Sequence, residues 1–311
     1  MPPSAKLVSV CDIFKACDGA YSHRTVRGYD SDLRTFARWC SSRGYPCFPA
    51  APNVLADFVD DQVERHCLST IKRRLCAIAF AHRMRDLPAP TDSNVVRLAV
   101  RRAARRRSRR PKQVRGLTNT IRAKIIAACP STLAGLRDAA LISVGYDTLC
   151  RSSELAAMQV EHVLLQGDET ATIIIPRSKS DIVGDGRVAY LSPQTTSLLT
   201  RWLGNAALEA GPLFRGLHLN CRSDGPLATS SIRRLIKRAT MRAGLDASIA
   251  KELSGHSMRI GAAQDMMVAG FDALAIMQAG GWKSANVVLR YVEKASAKDL
   301  HVRRWRSLCQ V

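Results

Sequence analysis

From Ser22 to Arg110 the apolar residues return every three or four positions, the period of helices with one buried face. Val26, Tyr29, Leu33, Phe36 and Cys40 form the first stripe, which stops before Gly44, a helix terminator. Leu55, Phe58, Val59 and Val63 form a second, behind Asn53, a residue able to cap it. A third helix is expected from Ser69, burying Ile71, Leu75, Ile78 and Ala79 and leaving Lys72, Arg73, Arg74 and Arg83 mostly exposed. A fourth, capped by Ser93, runs through Val96 and Val100 until Pro111, because proline cannot continue a helix interior.

The second half changes character. Thr118 is placed to cap a helix, and RDAALISVGYDTLC reads as a largely apolar helix at a domain centre. VLLQ, TATIIIP and RVAYLSP, separated by Gly-Asp turn residues, predict a small antiparallel sheet with two hairpins. Helices resume after Pro193. TSSIRRLIKRATMRA is amphipathic, and Ser254 is placed to cap a helix that carries His256 and Arg259 on one side of its first turn. A Gly-Gly break precedes Trp282, and Tyr291 falls on a short helix beyond it. The expected fold is mainly α: an N-terminal helical bundle, then a mixed α+β domain with a small antiparallel sheet. A chain of 311 residues supports two cores. The expected division is a flexible 1–20, a bundle over 21–110, a linker over 111–117 and a second domain over 118–311.

Charge narrows the partner. Lys plus Arg number 47 against 26 Asp plus Glu, a formal net charge of +21, hard to reconcile with a protein of small neutral metabolites. Residues 97–115 hold ten basic side chains and no acidic one, a run that repels itself unless a polyanion is near. A nucleic acid is that polyanion. The acidic residues Asp57, Asp60, Asp61 and Glu64 lie opposite an apolar stripe and read as a wet helix face rather than a metal site. Ten cysteines show no CxxC pair and no metal-ligand spacing, so they read as reduced thiols. No apolar run is long enough to cross a bilayer and MPPSAKLVSV lacks a secretory pattern, so a cytoplasmic, nucleoid-associated protein is expected.

Six dispersed residues suit one reaction on such a partner: Arg151, Lys179, His256, Arg259, Trp282 and Tyr291. Four are cationic or donate to an anion, one is an indole donor and one is a phenol. Glu154, three residues after Arg151, can orient its guanidinium. A phenol of pKa about 10 is a weak nucleophile that neighbouring cations activate.

The stretches YDTLCRSSELA, HSMRIGAAQDMMVAG, IMQAGGW and NVVLRYV resemble the signature of the tyrosine recombinases, the phage integrase family. FPAAP and LPAPTDSNVV extend the likeness into the first half. The resemblance implies that the bundle is a SAM-like core-binding domain and the second domain catalytic. It implies that the six residues are the catalytic set, with Glu154 supporting Arg151, and that Tyr291 forms a 3′-phosphotyrosine that a 5′-hydroxyl resolves without ATP. Lys179, on the second hairpin loop, becomes the general acid. No cofactor and no metal are implied. The partners become duplex DNA with inverted-repeat sites and further copies of the chain, four in a ring, joined by a C-terminal helix carrying Leu300, Val302, Trp305, Leu308 and Cys309. DNA contacts are expected from Lys72, Arg73, Arg101, Arg105, Arg106, Arg177, Ser231, Arg233, Arg234 and Lys237. Two other readings share these residues: a type IB-like topoisomerase without a fixed site, and a catalytically silent DNA-binding protein.

Overall fold

The computed structural model describes residues 17, 19–106, 113–175, 186–218, 221–293, 302 and 305. Lys179 and Arg177 lie outside the described residues, as does most of the C-terminal segment. The chain divides into two compact units, Met1–Lys112 and Gln113–Val311.

The first unit is built from α1 (His23–Ser41), α2 (Pro52–Gln62), α3 (Leu68–Arg83) and α4 (Asn94–Arg106). The expected stripes form its core: Leu33, Phe36 and Cys40 from α1, Leu55, Phe58 and Val59 from α2, Ile71, Leu75 and Ile78 from α3, Val96 from α4. Phe58 packs edge-on against Phe36 and Trp39, with ring centroids 5.0 and 5.1 Å away.

Two details differ from the sequence reading. Asn53 does not cap α2, because Ala51 holds the cap position and Pro52 fills the first turn, where a missing N–H costs nothing. Arg74 is buried, not exposed, because Asp32 is buried on α1 and faces it. The acidic face near α2 serves arginines: Asp61 holds Arg43 at 2.7 Å, Asp60 holds Arg102 at 2.5 Å and Glu64 lies 3.6 Å from Arg106. Part of the basic run is therefore matched within its own unit.

In the second unit α5 (Asn119–Ala127) leads to α6 (Leu133–Asp147), the buried helix the apolar run predicts. α7 (Ser152–Ala157) precedes β1 (Val163–Leu165), β2 (Ala171–Ile175) and β3 (Arg187–Leu191), an antiparallel sheet in the order β1-β2-β3. After α8 (Pro193–Asn205), β4 (Arg215–His218) and β5 (Cys221–Pro226) form a second antiparallel pair. This pair carries no β-branched run and is invisible to the sequence pattern. α9 (Thr229–Arg242), α10 (Ala247–Glu252), α11 (Ser257–Ala269), α12 (Ala273–Gly280) and α13 (Ala285–Val292) complete the unit.

Residues 113–117, expected as linker, are packed into this unit. Leu117 is fully buried and donates to the Ser257 carbonyl at 2.7 Å. Its own carbonyl lies so near Gly261 that a Cβ there would sit 1.9 Å away, so α11 needs glycine at this crossing. Thr118 does not cap α5 with its side chain. The Asp265 carboxylate accepts from Asn119 N at 2.6 Å instead, an acceptor from α11 satisfying the orphan donor. Among the described residues no helix is long and apolar enough to cross a membrane.

Candidate active site

The site grows from the turn between α6 and α7. α6 ends at Asp147, and Leu149 turns the chain with φ +51°, a left-handed conformation costing an L-residue about 1–2 kcal/mol. The Leu149 side chain is buried with Ala262, Ala263, Ile276, Trp282 and Val288, and that packing holds the turn. Arg151 then stands at the N-cap of α7. Glu154 accepts from its backbone N–H at 3.0 Å and from its Nη1 at 2.5 Å. With the Glu154 side chain only 3% exposed, the guanidinium is held in one orientation by a desolvated carboxylate.

His256 reaches this turn through a close approach. A Cβ on Gly255 would lie 2.0 Å from Ser152 Oγ and 3.2 Å from its Cβ, so the Ser254–His256 turn packs closely against the start of α7 where a glycine stands. Ser254 does not cap α11, because the chain becomes helical only at Ser257 and His256 itself occupies the cap position. Ser254 builds the preceding turn, accepting from His256 N at 3.2 Å and donating its own N–H to Ser257 Oγ at 2.9 Å. Burial, then Arg259 and Arg151, hold the His256 pKa below its ordinary 6.5.

Arg259, in the first turn of α11, is fully buried. Its Nη1 donates to the Leu149 carbonyl, and its guanidinium carbon lies 4.0 Å from the centre of the Trp282 ring. Its Nε and Nη2 find no partner among the described residues. Burial, with Arg151 adding to it, pushes its pKa down to about 10. Two donors of a buried guanidinium, beside a second guanidinium, are thus left without an acceptor, although a buried charge normally carries a counter-charge.

Trp282 is delivered by the end of α12. Gly281 takes φ +63° and the Trp282 N–H returns to the Met277 carbonyl at 2.9 Å. Gly280 leaves room for the indole, which would lie 2.2 Å from a Cβ there. Tyr291, on α13, has its ring 5.5 Å from Trp282 and 6.3 Å from His256. Its carbonyl accepts from Gln264 Nε2 at 3.2 Å and Gln113 Nε2 at 3.4 Å, which tie α13 to α11 and to the start of the unit.

Five of the six expected residues, Arg151, His256, Arg259, Trp282 and Tyr291, are thus brought together, with Glu154 behind Arg151. Lys179 is the sixth. Gly255 and Gln264 escape the sequence reading, although a glycine wedged between Ser254 and His256 was a visible hint of a close approach. Of the expected DNA contacts, Arg233 and Arg234 are exposed on α9, and Ser231 accepts from Arg234 at 3.0 Å. Lys237 lies 3.4 Å from the Lys251 carbonyl. In the first unit Lys72, Arg73, Arg101, Arg105 and Arg106 are exposed, with Arg73 also paired to Asp32 at 2.8 Å.

The model of the phage integrase family matches residues 116–298, more than half of the chain. The chain belongs to the phage integrase family. This family member is 29% identical over 297 residues to Recombinase cre of Escherichia phage P1, covering 90% of this chain and 86% of the relative. It is also 29% identical over 286 residues to an integrase/recombinase XerD homolog of Selenomonas ruminantium, covering 88% and 82%. Among solved structures it aligns with XerH site-specific recombinase bound to a palindromic difH substrate in a post-cleavage complex. The TM-score is 0.68 at 18% identity over 97% of this chain and 85% of that one, a likeness of fold. As a phage integrase family member the chain is a tyrosine recombinase.

Proposed function

We propose that this recombinase cuts and rejoins duplex DNA at specific sites with Tyr291 as nucleophile. One observation carries the reading: a fully buried Arg259 with two unmet donors, flanked by Arg151, Trp282 and His256, beside a phenol. A phosphodiester supplies the missing charge. Arg259 and Arg151 bind its non-bridging oxygens, where charge builds up in the transition state and each donor is worth about 100 to 1,000-fold in rate.

In the reaction the Tyr291 oxygen bonds to phosphorus while the bond to the 5′-oxygen breaks. His256, neutral at neutral pH because its pKa is lowered, can take the phenol proton. Lys179 gives a proton to the departing 5′-oxygen. A 3′-phosphotyrosine remains, and a 5′-hydroxyl from a second duplex reverses the same step, so one ester replaces another without ATP.

Affinity comes from the +21 charge and the exposed cations of α3, α4 and α9, and Arg177, outside the described residues, is expected to contribute as well. Binding should lose about 0.9 log unit per log unit of salt for each phosphate neutralised. In this reading the bundle of residues 21–110 and the catalytic domain of 118–311 bind one half of an inverted repeat. Four copies join two duplexes through the C-terminal segment, where Val302 is half-buried and Trp305 is exposed. The protein acts in the cytoplasm at the nucleoid.

The test is a library of random duplexes, each nicked so that the cut end diffuses away. Wild type should accumulate a covalent adduct whose sequenced DNA reveals an inverted repeat, and Tyr291→Phe should bind but form none. No adduct from wild type would remove the enzymatic reading, and relaxation of plasmids lacking the repeat would turn it into a topoisomerase.

A further inference from the structure

Arg187 opens β3, and its guanidinium joins the strand to two turns of the site. Nη1 donates to the Ala279 carbonyl at 2.9 Å, and Nη2 to the Thr148 carbonyl at 2.6 Å, with Cys150 Sγ 3.5 Å from Nη2. Ala279 lies in the last turn of α12, just before the glycines that deliver Trp282. Thr148 and Leu149 are consecutive, and their carbonyls hold Arg187 and Arg259 respectively. The Arg187 stem also packs on Gly281, where a Cβ would meet its Cδ at 3.1 Å.

We propose that Arg187 is a positioning residue for the reaction, acting through the Thr148–Arg151 turn and the Ala279–Trp282 turn rather than on DNA. The inference rests on Tyr291 being the nucleophile. An arginine suits this place because a planar fork serves two carbonyls at fixed angles, whereas an ammonium is a point charge on a flexible stem. Its positive charge repels that of neighbouring Arg259, so hydrogen-bond geometry, not field, is what it contributes. Strand, α6–α7 turn and α12 end share this one fastening, and a small slip at any of them moves Arg151, Arg259 or Trp282 relative to the phosphate.

The experiment uses the full-length protein and duplexes recovered from the covalent selection, comparing wild type with Arg187→Lys and Arg187→Gln. Single-turnover cleavage at saturating DNA should fall about 10 to 100-fold, the scale of sub-ångström to ångström misplacement of catalytic groups. Affinity by gel shift should stay within about threefold. A second substrate carries sulfur at the 5′-bridging position, a leaving group that needs no acid. The Arg187 defect should persist on it, because the phosphate cage and not leaving-group protonation is disturbed, while that of Lys179→Ala should be relieved. Three results overturn the proposal: cleavage by Arg187→Lys within about threefold of wild type, equal loss of affinity and cleavage, or rescue by sulfur. If wild type itself forms no adduct, the Tyr291 reading has failed instead, so the two failures are told apart.

Discussion

Arg74 in the first unit and Arg259 in the second are both buried guanidiniums, and their surroundings have opposite sign. Arg74 sits with Asp32, whose carboxylate lies 3.8 Å from its Nε, and with Gln62, whose side-chain oxygen accepts from Nη1. Its unmet Nε has an unmet oxygen on Asp32, a carboxylate that also holds Arg73 at 2.8 Å, so Arg74 finds an acid inside the fold. Arg259 instead faces Arg151, and although Glu154 favours its charge, that carboxylate is hydrogen-bonded to Arg151 and the two unmet donors of Arg259 find no acceptor among the described residues. Burial lowers both pKa values most, and the largest charge effect next to it is Asp32 raising that of Arg74 but Arg151 lowering that of Arg259. The difference teaches that burial of an arginine says little about function until its counter-charge is found inside or outside the fold.

The sharpest way to break this comparison is to replace each with methionine. Arg259→Met should lower single-turnover cleavage by about 100 to 1,000-fold, yet leave the unliganded protein within about 1 kcal/mol of wild type, because it removes an uncompensated charge. Arg74→Met should do the reverse. Losing its bonds to Gln62 and Asp32 should cost about 1–3 kcal/mol, with cleavage at saturating DNA unchanged in the folded fraction. Chemical denaturation with and without sulfate completes the test, since sulfate should stabilise wild type and not Arg259→Met. Equal sulfate stabilisation of both would show that the anion sits elsewhere.

A buried and a half-buried histidine sharpen the contrast through pH. In the first unit His82 donates from Nδ1 to the Ile78 carbonyl at 2.8 Å and accepts the Ala50 N–H on Nε2 at 2.9 Å, so the fold requires its neutral form. Its pKa is lowered by burial, so its contribution to stability is intact above the unfolded value of 6.5 and is lost as pH falls below it. No anion should prevent that loss. His256 is also lowered, and its contribution falls in the same direction. A bound anion, however, offsets Arg259 and Arg151 and raises the His256 pKa, so sulfate should bind more tightly as the pH falls through that raised pKa. Denaturation at several pH values should show sulfate protecting wild type more strongly in acid, and His256→Gln should flatten that dependence. A flat response in wild type would place His256 outside the anion's field.

The helical stripes were legible because each depends on its own segment: Leu33, Phe36 and Cys40 point inward whatever else the chain does. The candidate catalytic residues could be named because short motifs carry the resemblance to the phage integrase family. What could not be read are relations between distant segments. Arg74 looked exposed because its acid lies on another helix, and Thr118 and Ser254 looked like caps because competing acceptors and the true helix start emerge only in the fold. Arg187 offered no signal, being one cation at the start of a short strand. Its meaning depends on two carbonyls brought there from α6 and α12.

The smallest effect concerns backbone strain. Asp86 in the first unit has φ +55° and Leu149 in the second +51°, two left-handed residues with side chains. Asp86 is exposed at the end of α3, and aspartate tolerates this conformation, so Asp86→Gly should add only a few tenths of a kcal/mol and leave cleavage alone. Leu149 is buried, and Leu149→Ala should cost about 2–5 kcal/mol through the lost packing. Leu149→Gly loses the same packing but also the Cβ clash, so it should be the more stable of the two by about 1 kcal/mol. Chemical denaturation measures that order directly. If alanine proved the better replacement, the strain at Leu149 would not be what its buried side chain is holding, and the aim of its carbonyl at Arg259 would need another cause.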